Sequence, residues 1–339
     1  MSQQSTLISA IISTYNSEAF MQGRLENLVD QTIFPQIEII VINSGSQQKE
    51  EEIVKEFQKR YSNIYYISTT QRETIYQAWN RGIKLAKGKY ITNANTDDRL
   101  HPNALEILTK TMKSNPNVGL VYADQVISDE PNALFNDTKD SAIMKRPRYS
   151  RLRLLAGHIV GPQAVWKASL HFQDQIWFDE NYEVAGDYDF VCRVAEKYPI
   201  LHFPQILGSY YLCKDKSNKE YQDIEKTAVE TAEIQIRYGK RYITTLDTDK
   251  RKRLKNRLLL YLRLPPYFHV ALFRLSKTLF PKHYILPRAF VSWMSALLLM
   301  NEGDKETAIM LCKSCLKYPR AVTSRILLQE LQNSENKQQ

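Results

Sequence analysis

The chain has 339 residues, of which 43% are hydrophobic and 24% charged, so it is long enough for one large or two ordinary globular domains with a substantial core. Its four cysteines (Cys192, Cys213, Cys312, Cys315) are too few and too scattered for a disulfide framework, which points to a reducing compartment. The formal net charge of +9 is uneven: Lys250–Met300 holds eleven Lys or Arg and no Asp or Glu, so the remainder is slightly acidic.

Leu7–Ser13 reads as a continuous apolar strand. Ser17 then stands at the N-cap of a helix over Glu18–Gln31 whose Phe20, Leu25, Leu28 and Val29 can face a core. A second strand, Ile37–Ile42, ends in Asn43-Ser44-Gly45-Ser46, a turn that opens a helix over Lys49–Arg60. Ile64–Ile67 is a third strand, Glu73–Ala86 a helix stopped by Gly88, and Lys89–Thr92 a fourth strand. Asn95-Thr96-Asp97-Asp98 follows, then a helix over Pro102–Ser114 and a fifth strand at Val118–Tyr122. Near-continuous apolar strands alternating with amphipathic helices predict an α/β fold with a parallel sheet covered on both faces. From Ala123 to Arg148 the pattern loosens into many Asp, Asn and Pro, as in a functional lid. Order returns at Gly161–Trp166, in a helix over Asp187–Lys197, a strand at Ile200–Phe203 and a helix over Lys219–Tyr238.

Beyond Thr248 the chain reads as helical. Arg251–Leu264 is basic and leucine-rich, and Phe268, Leu272, Leu275 and Leu279 form a stripe at helical spacing. Helices follow over Ala289–Met300, Lys305–Leu316 and Ala321–Leu331, and the pair around Gly303 looks like one tetratricopeptide-like hairpin. The change of character divides the chain into a domain at 1–245 and a basic helical extension at 246–339.

Asp97 and Asp98 lie where open α/β sheets bind ligands, beyond the carboxyl end of a strand. A divalent cation shared with a diphosphate is one reading of the pair. A cap for the helix that His101-Pro102-Asn103 begins is the other. Neither G-x-G-x-x-G nor G-x-x-x-x-G-K-[ST] is present, which disfavours the ordinary dinucleotide fold and the P-loop NTPases; a nucleotidyltransferase would need a basic glycine-rich loop near the N-terminus.

The segments LISAIISTYN, a helix ending VDQT, IEIIVINSGS, WNRGIKLAKGKYITNANTDD and GDYDF run in order over about the first 215 residues. Together they resemble the family 2 glycosyltransferases, and LHFPQILGSYYL fits that family's domain end. The resemblance implies the GT-A (nucleotide-diphospho-sugar transferase) fold, a mostly parallel sheet flanked by helices, with the all-α extension beyond it. It implies an inverting enzyme of polysaccharide biosynthesis in the cell envelope, moving a sugar from a nucleotide-diphosphate donor to the hydroxyl of a glycan or lipid-linked acceptor.

The family's D-x-D type motif reads here as Asn95-Thr96-Asp97-Asp98, with Asn95 in place of the first carboxylate. It implies Mn²⁺ or Mg²⁺ on Asp98, with Asp97 on the metal or the donor ribose, so that the leaving diphosphate is stabilised. Asp187 in Gly186-Asp187-Tyr188-Asp189 is the implied general base, with Gly186 where Glu is usual; as plain structure it would only cap a helix. Ser13, Tyr15 and Glu18 match the first motif, with Tyr15 able to stack on a base. Asn43 and Ser44 stand where two carboxylates are usual and can hydrogen-bond a base edge. Arg72 and Arg81 are candidates for base or phosphate, or else solvated surface residues. Trp79, Trp166 and Trp177 could stack on sugar or fill the core, and His158 and Gln163 could line the acceptor side. The departures at Asn95, Asn43, Ser44 and Gly186 leave one alternative of another class, a catalytically silent nucleotide-sugar-binding scaffold.

The basic run fits an amphipathic contact with anionic membrane as well as it fits a helical cap, while nucleic acid is disfavoured by the lack of any recognised module. No signal peptide is read at Met1–Thr6, and Ala289–Met300 falls short of the roughly 20 residues needed to cross a bilayer. The expected location is the cytoplasm, or the inner face of the membrane as a peripheral protein.

Overall fold

The computed structural model describes residues 6–138, 142–213, 223–263, 288–316 and 321–336. The Phe268–Leu279 stripe lies outside these residues. The chain forms two compact units, residues 1–149 with 160–222 and residues 150–159 with 223–339.

In the first unit, β1 (Ile8–Thr14) and β2 (Ile37–Ser44) are buried almost throughout, because helices cover both faces of the sheet. The connecting helices are α1 (Glu18–Val29), α2 (Glu50–Gln58) and α3 (Ile75–Leu85). β1 pairs in parallel with β2 from Ile8↔Ile37 to Thr14↔Asn43, β2 with β3 (Ile64–Thr69), and β1 with β4 (Tyr90–Asn93). These registers bring Thr14, Asn43, Ser44, Thr69 and Asn93 to one edge of the sheet.

The other half of the sheet is mixed rather than parallel. It contains β5 (Arg99–Leu100), β6 (Leu120–Ser128) after α4 (Ala104–Ser114), β7 (Ala142–Met144), β8 (Val165–Lys167) and β9 (Ile200–Tyr211). The strand order is β3-β2-β1-β4-β8-β6-β9-β5, with β7 on β6. β8 runs antiparallel to both β4 and β6, whereas β6 and β9 are parallel. β8 joins the sheet antiparallel to both neighbours, a pairing that requires no crossover helix.

Three local expectations are corrected. Ser17 holds the N-cap position of α1, but its hydroxyl donates to the Tyr15 carbonyl and caps nothing. α3 ends at Leu85, and Gly88 does not cap it; a Cβ there would stand 2.6 Å from the Ser9 backbone nitrogen, so glycine is needed for close passage along β1. The polar stretch after Ala123 is not all lid, since β6 continues to Ser128 and pairs with β7. Its polar residues are used within the sheet: Asp124 Oδ1 lies 2.7 Å from His202 Nε2, and Gln125 accepts from Arg146 at 2.8 Å. The helices α6 (Ser169–Phe172) and α7 (Gly186–Lys197) complete this unit.

The second unit is helical, with α5 (Arg151–Ala156), α8 (Ile224–Thr244), α9 (Thr248–Leu262), α10 (Arg288–Asn301), α11 (Lys305–Cys315) and α12 (Val322–Asn336). Asp223, Asp247 and Asp304 cap α8, α9 and α11 by accepting backbone N–H groups at 2.8, 2.7 and 3.1 Å. Trp293 of α10 packs on Gly239 of α8, where a Cβ would lie 2.9 Å from its ring. Cys312 and Cys315 are both buried, and burial pushes the Cys312 thiol up to about 12. By contacts, α8 groups with this unit, so the junction falls after residue 222, and residue 245 lies between α8 and α9.

Candidate active site

The ends of β1 and β2 are tied together by a buried carboxylate. Glu50, at the start of α2, accepts from the Ser17 N–H and the Ser46 hydroxyl at 2.7 Å each and from the Thr14 hydroxyl at 3.3 Å. Glu18 reinforces the junction, accepting from the Lys49 N–H at 3.3 Å. Asn43 accepts from the Ser46 N–H at 2.8 Å and donates to the Tyr66 hydroxyl at 2.9 Å. Ser44 donates to the Glu73 carbonyl and accepts the Glu73 N–H at 2.6 Å. Gly45, which follows Ser44, has φ +70°, the left-handed region that favours glycine. Asn43 and Ser44 therefore shape the turn with side chains already engaged inside the chain. Above that turn the Arg72 guanidinium stacks 4.1 Å from the centre of the Tyr15 ring. Arg81 instead pairs with Glu73, and Ser13 is a half-buried residue of β1 opposite Ile42.

The loop Asn95–Arg99 follows β4 and is gripped from below. Arg24 of α1 and Arg99 both donate to the Asp98 carbonyl, at 3.0 and 2.7 Å. Asn27 of α1 pairs with both backbone groups of Leu100, at 2.8 and 2.9 Å. The Asp98 side chain is 1% exposed and accepts from the Tyr211 N–H at 3.1 Å and the Asn95 amide at 3.2 Å. Burial, then the neighbouring charge of Asp97, push the Asp98 carboxyl up to about 8. Burial and the charge of Arg99 push Arg24 down to about 9. Asp97 is the more exposed of the two carboxylates.

Asp187 lies in the first turn of α7, half-buried, with Oδ1 accepting the Tyr188 N–H at 2.7 Å. Ala185 precedes the helix and supplies no cap side chain. Instead the Tyr76 hydroxyl, from α3, accepts the Gly186 N–H at 2.8 Å and donates to the Val184 carbonyl at 2.6 Å. The departure at Gly186 has a steric cause: a Cβ there would stand 2.7 Å from the Tyr76 ring.

Other expected residues lie elsewhere. Trp79 and Trp166 are core, packed with Phe178, and Trp177 lies between His171 and Phe172. Gln163 is buried and stitches Arg99 to Ser209, with hydrogen bonds of 3.2 and 3.0 Å to their carbonyls. His158 belongs to the second unit. Sequence reasoning missed Glu50, Arg24 and Tyr76. A signal for Tyr76 was present: glycine in place of glutamate implies that something else fills that space.

A mixed sheet with flanking helices, with ligand-binding carboxylates expected beyond β4, is the arrangement of the GT-A fold. Residues 9–171 match the model of glycosyl transferase family 2, so that stretch is a domain of this family, and the chain is a glycosyltransferase. An uncharacterized glycosyltransferase of Haemophilus influenzae is 24% identical over 221 residues, 63% of this chain and 68% of that one. Among solved structures, S. aureus TarS 1–349 in complex with UDP-GlcNAc has a TM-score of 0.60 at 14% identity, covering 98% of this chain and 92% of that chain. The mannosyltransferase PcManGT from Pyrobaculum calidifontis, in complex with GDP-Man and Mn²⁺, has a TM-score of 0.52 at 16% identity, covering 95% and 79%. At these identities the two structures speak for the fold.

Proposed function

We propose that this glycosyltransferase moves a sugar from a nucleotide-diphosphate sugar to an acceptor hydroxyl with inversion. The observation that carries the reading is the Asp97–Asp98 pair, where one buried carboxyl is pushed up to about 8 by burial and by its neighbour's charge. Two adjacent carboxylates with that mutual cost fit a divalent cation completed by diphosphate oxygens. Asp97 and Asp98 would hold the Mn²⁺ or Mg²⁺, Asp97 from the more exposed side. When bound, the cation supplies Lewis-acid stabilisation of the departing nucleoside diphosphate.

The stacked Tyr15–Arg72 pair holds the nucleotide base, on a turn that Asn43, Ser44 and Glu18 shape, with Ser13 facing the donor from the end of β1. Arg81 supports that turn through Glu73. Asp187 takes the proton of the acceptor hydroxyl while its oxygen bonds to the anomeric carbon. The bond from that carbon to the diphosphate oxygen breaks on the opposite side, so no covalent sugar–enzyme intermediate forms. A glycan or lipid-linked acceptor fits this chemistry.

A panel of nucleotide sugars with Mn²⁺ or Mg²⁺, scored by thermal shift and by transfer, tests the reading. Asp187→Asn should keep the donor-induced shift and lose transfer by about 10²- to 10⁴-fold, the usual worth of general base catalysis. A protein stabilised by no nucleotide sugar would sink the proposal. Binding without any transfer would favour the silent scaffold instead.

A peripheral contact with anionic lipid belongs to the same reading. On α9, Lys252, Arg253, Asn256 and Arg257 are exposed, while Leu258 is buried and Arg251 and Lys255 hold Asn301 and Glu302. Leu260 of the same helix is exposed as well, so the contact with lipid is mainly electrostatic with one leucine free to reach the apolar layer. No helix among the described residues is long and apolar enough to cross a membrane. Vesicles with anionic lipid should co-sediment the protein at low salt, and Lys252→Glu with Arg253→Glu and Arg257→Glu should release it; equal sedimentation of the variant removes α9 from the contact.

A further inference from the structure

We infer that Tyr76 is a positioning residue for this reaction, fixing the start of α7 and through it the Asp187 carboxylate. The inference rests on the reading of Asp187 as the base.

The first N–H groups of a helix have no partner within the helix and need an external acceptor. In α7 the residue before the helix is Ala185, which offers none from its side chain. The Tyr76 hydroxyl does this work from another element, 110 residues away in sequence from Gly186. By donating to the Val184 carbonyl as well, it holds the backbone on both sides of Ala185, and Asp187 follows within two residues.

The tyrosine itself is held firmly. It is 2% exposed, stacks on Phe178 with ring centres 6.0 Å apart, and meets Trp79 edge-on at 5.5 Å. Asn80, one turn further along the same face of α3, hydrogen-bonds the Phe178 N–H at 3.1 Å, the Phe178 carbonyl at 2.9 Å and Glu180 at 2.8 Å. A capping box between Thr74 and Gln77 fixes the first turn of α3. One face of α3 thus carries the hydrogen bonds that place the segment leading into Asp187. Gly186 is the complementary half of the device, since any side chain there would meet the Tyr76 ring.

Tyr76→Phe keeps the ring and removes both hydrogen bonds. A misplaced catalytic group costs up to about 10²-fold in rate, so kcat for transfer should fall on the order of 10- to 100-fold. The donor KM and the thermal shift produced by the nucleoside diphosphate with Mn²⁺ should stay at the parent's values. Gly186→Ala, which pushes on the ring from the other side, should give the same split, and it decides the matter if the first variant does not fold. Full kcat in a folded variant, or a parallel loss of kcat and donor affinity, overturns the inference. Asp187→Asn is measured alongside. If it retains transfer, the base assignment falls; if it is inactive while Tyr76→Phe is fully active, the role of Tyr76 alone falls.

Discussion

The carboxyl of Asp98 feels the charges of Arg24 and Arg99, which donate to its backbone carbonyl, while burial lowers the pKa of both arginines. The Asp98 carboxyl is nonetheless pushed up to about 8, so the chain's own charges compensate it poorly and an added cation has much to gain. Asp98→Asn should be about as stable as the parent at pH 7 without metal, because a carboxyl pushed up to about 8 is already largely protonated there and the amide has nearly the same shape. It should lose the rise in Tm that Mn²⁺ and nucleoside diphosphate give the parent, worth about 2.7 kcal/mol at a hundredfold excess over Kd. Retention of the full rise would take Asp98 out of the metal site. His171 shows the opposite sign. It is wholly buried, accepts from the Trp166 indole at 2.8 Å, and stacks 5.4 Å from Phe190. Burial lowers its pKa from 6.5 to about 3. Between those values the unfolded chain takes up a proton that the folded chain refuses, so stability rises with pH by up to about 1.4 kcal/mol per unit. Below the folded value that contribution is fully lost. His171→Phe should flatten urea-unfolding stability between pH 6.5 and pH 4; an unchanged slope would assign the acid sensitivity to other groups.

Among the elements, the junction of β1, α1 and α2 depends on the single side chain of Glu50. Glu50→Ala should cost about 2 kcal/mol in chemical denaturation, since it strands buried donors from three residues. It should also weaken the nucleotide-induced thermal shift, because the Ser46 turn loses its anchor. β1 and β2 were legible in the sequence because burial on both faces writes an uninterrupted apolar run. β6 was cut short in the reading because Asp124 and Gln125 interrupt its apolar pattern; their partners, His202 and Arg146, lie too far along the chain to be foreseen. The reversed direction of β8 was hidden for a related reason, since a three-residue strand carries no periodicity to read. At the proposed site, Asp97, Asp98 and Asp187 stand out as candidates in the sequence because they lie within motifs. Tyr76 and Arg24 do not, because their importance comes from contacts across 108 and 74 positions.

At the scale of the whole molecule, the second unit is assembled from separated pieces of chain. α5 packs on α8, with the Arg151 guanidinium 5.9 Å from the centre of the Tyr242 ring, and it buries Leu154 and Leu155. A chain ended at residue 222 would strip α8 from these leucines. It should express as a less soluble protein with a lower Tm than the full chain, whereas a cleanly separable first unit would keep both. The order of synthesis adds a constraint. The piece that carries α5 ends at residue 159, and the 63 residues of 160–222 must be made before residue 223 appears. At typical rates of about 5–20 residues per second its leucines wait for several seconds before α8 can cover them. A graft that exchanges the C-terminal helices at one junction would leave the old α5 facing a foreign partner. The helical appendage can be transplanted only as two pieces of the gene, never as one.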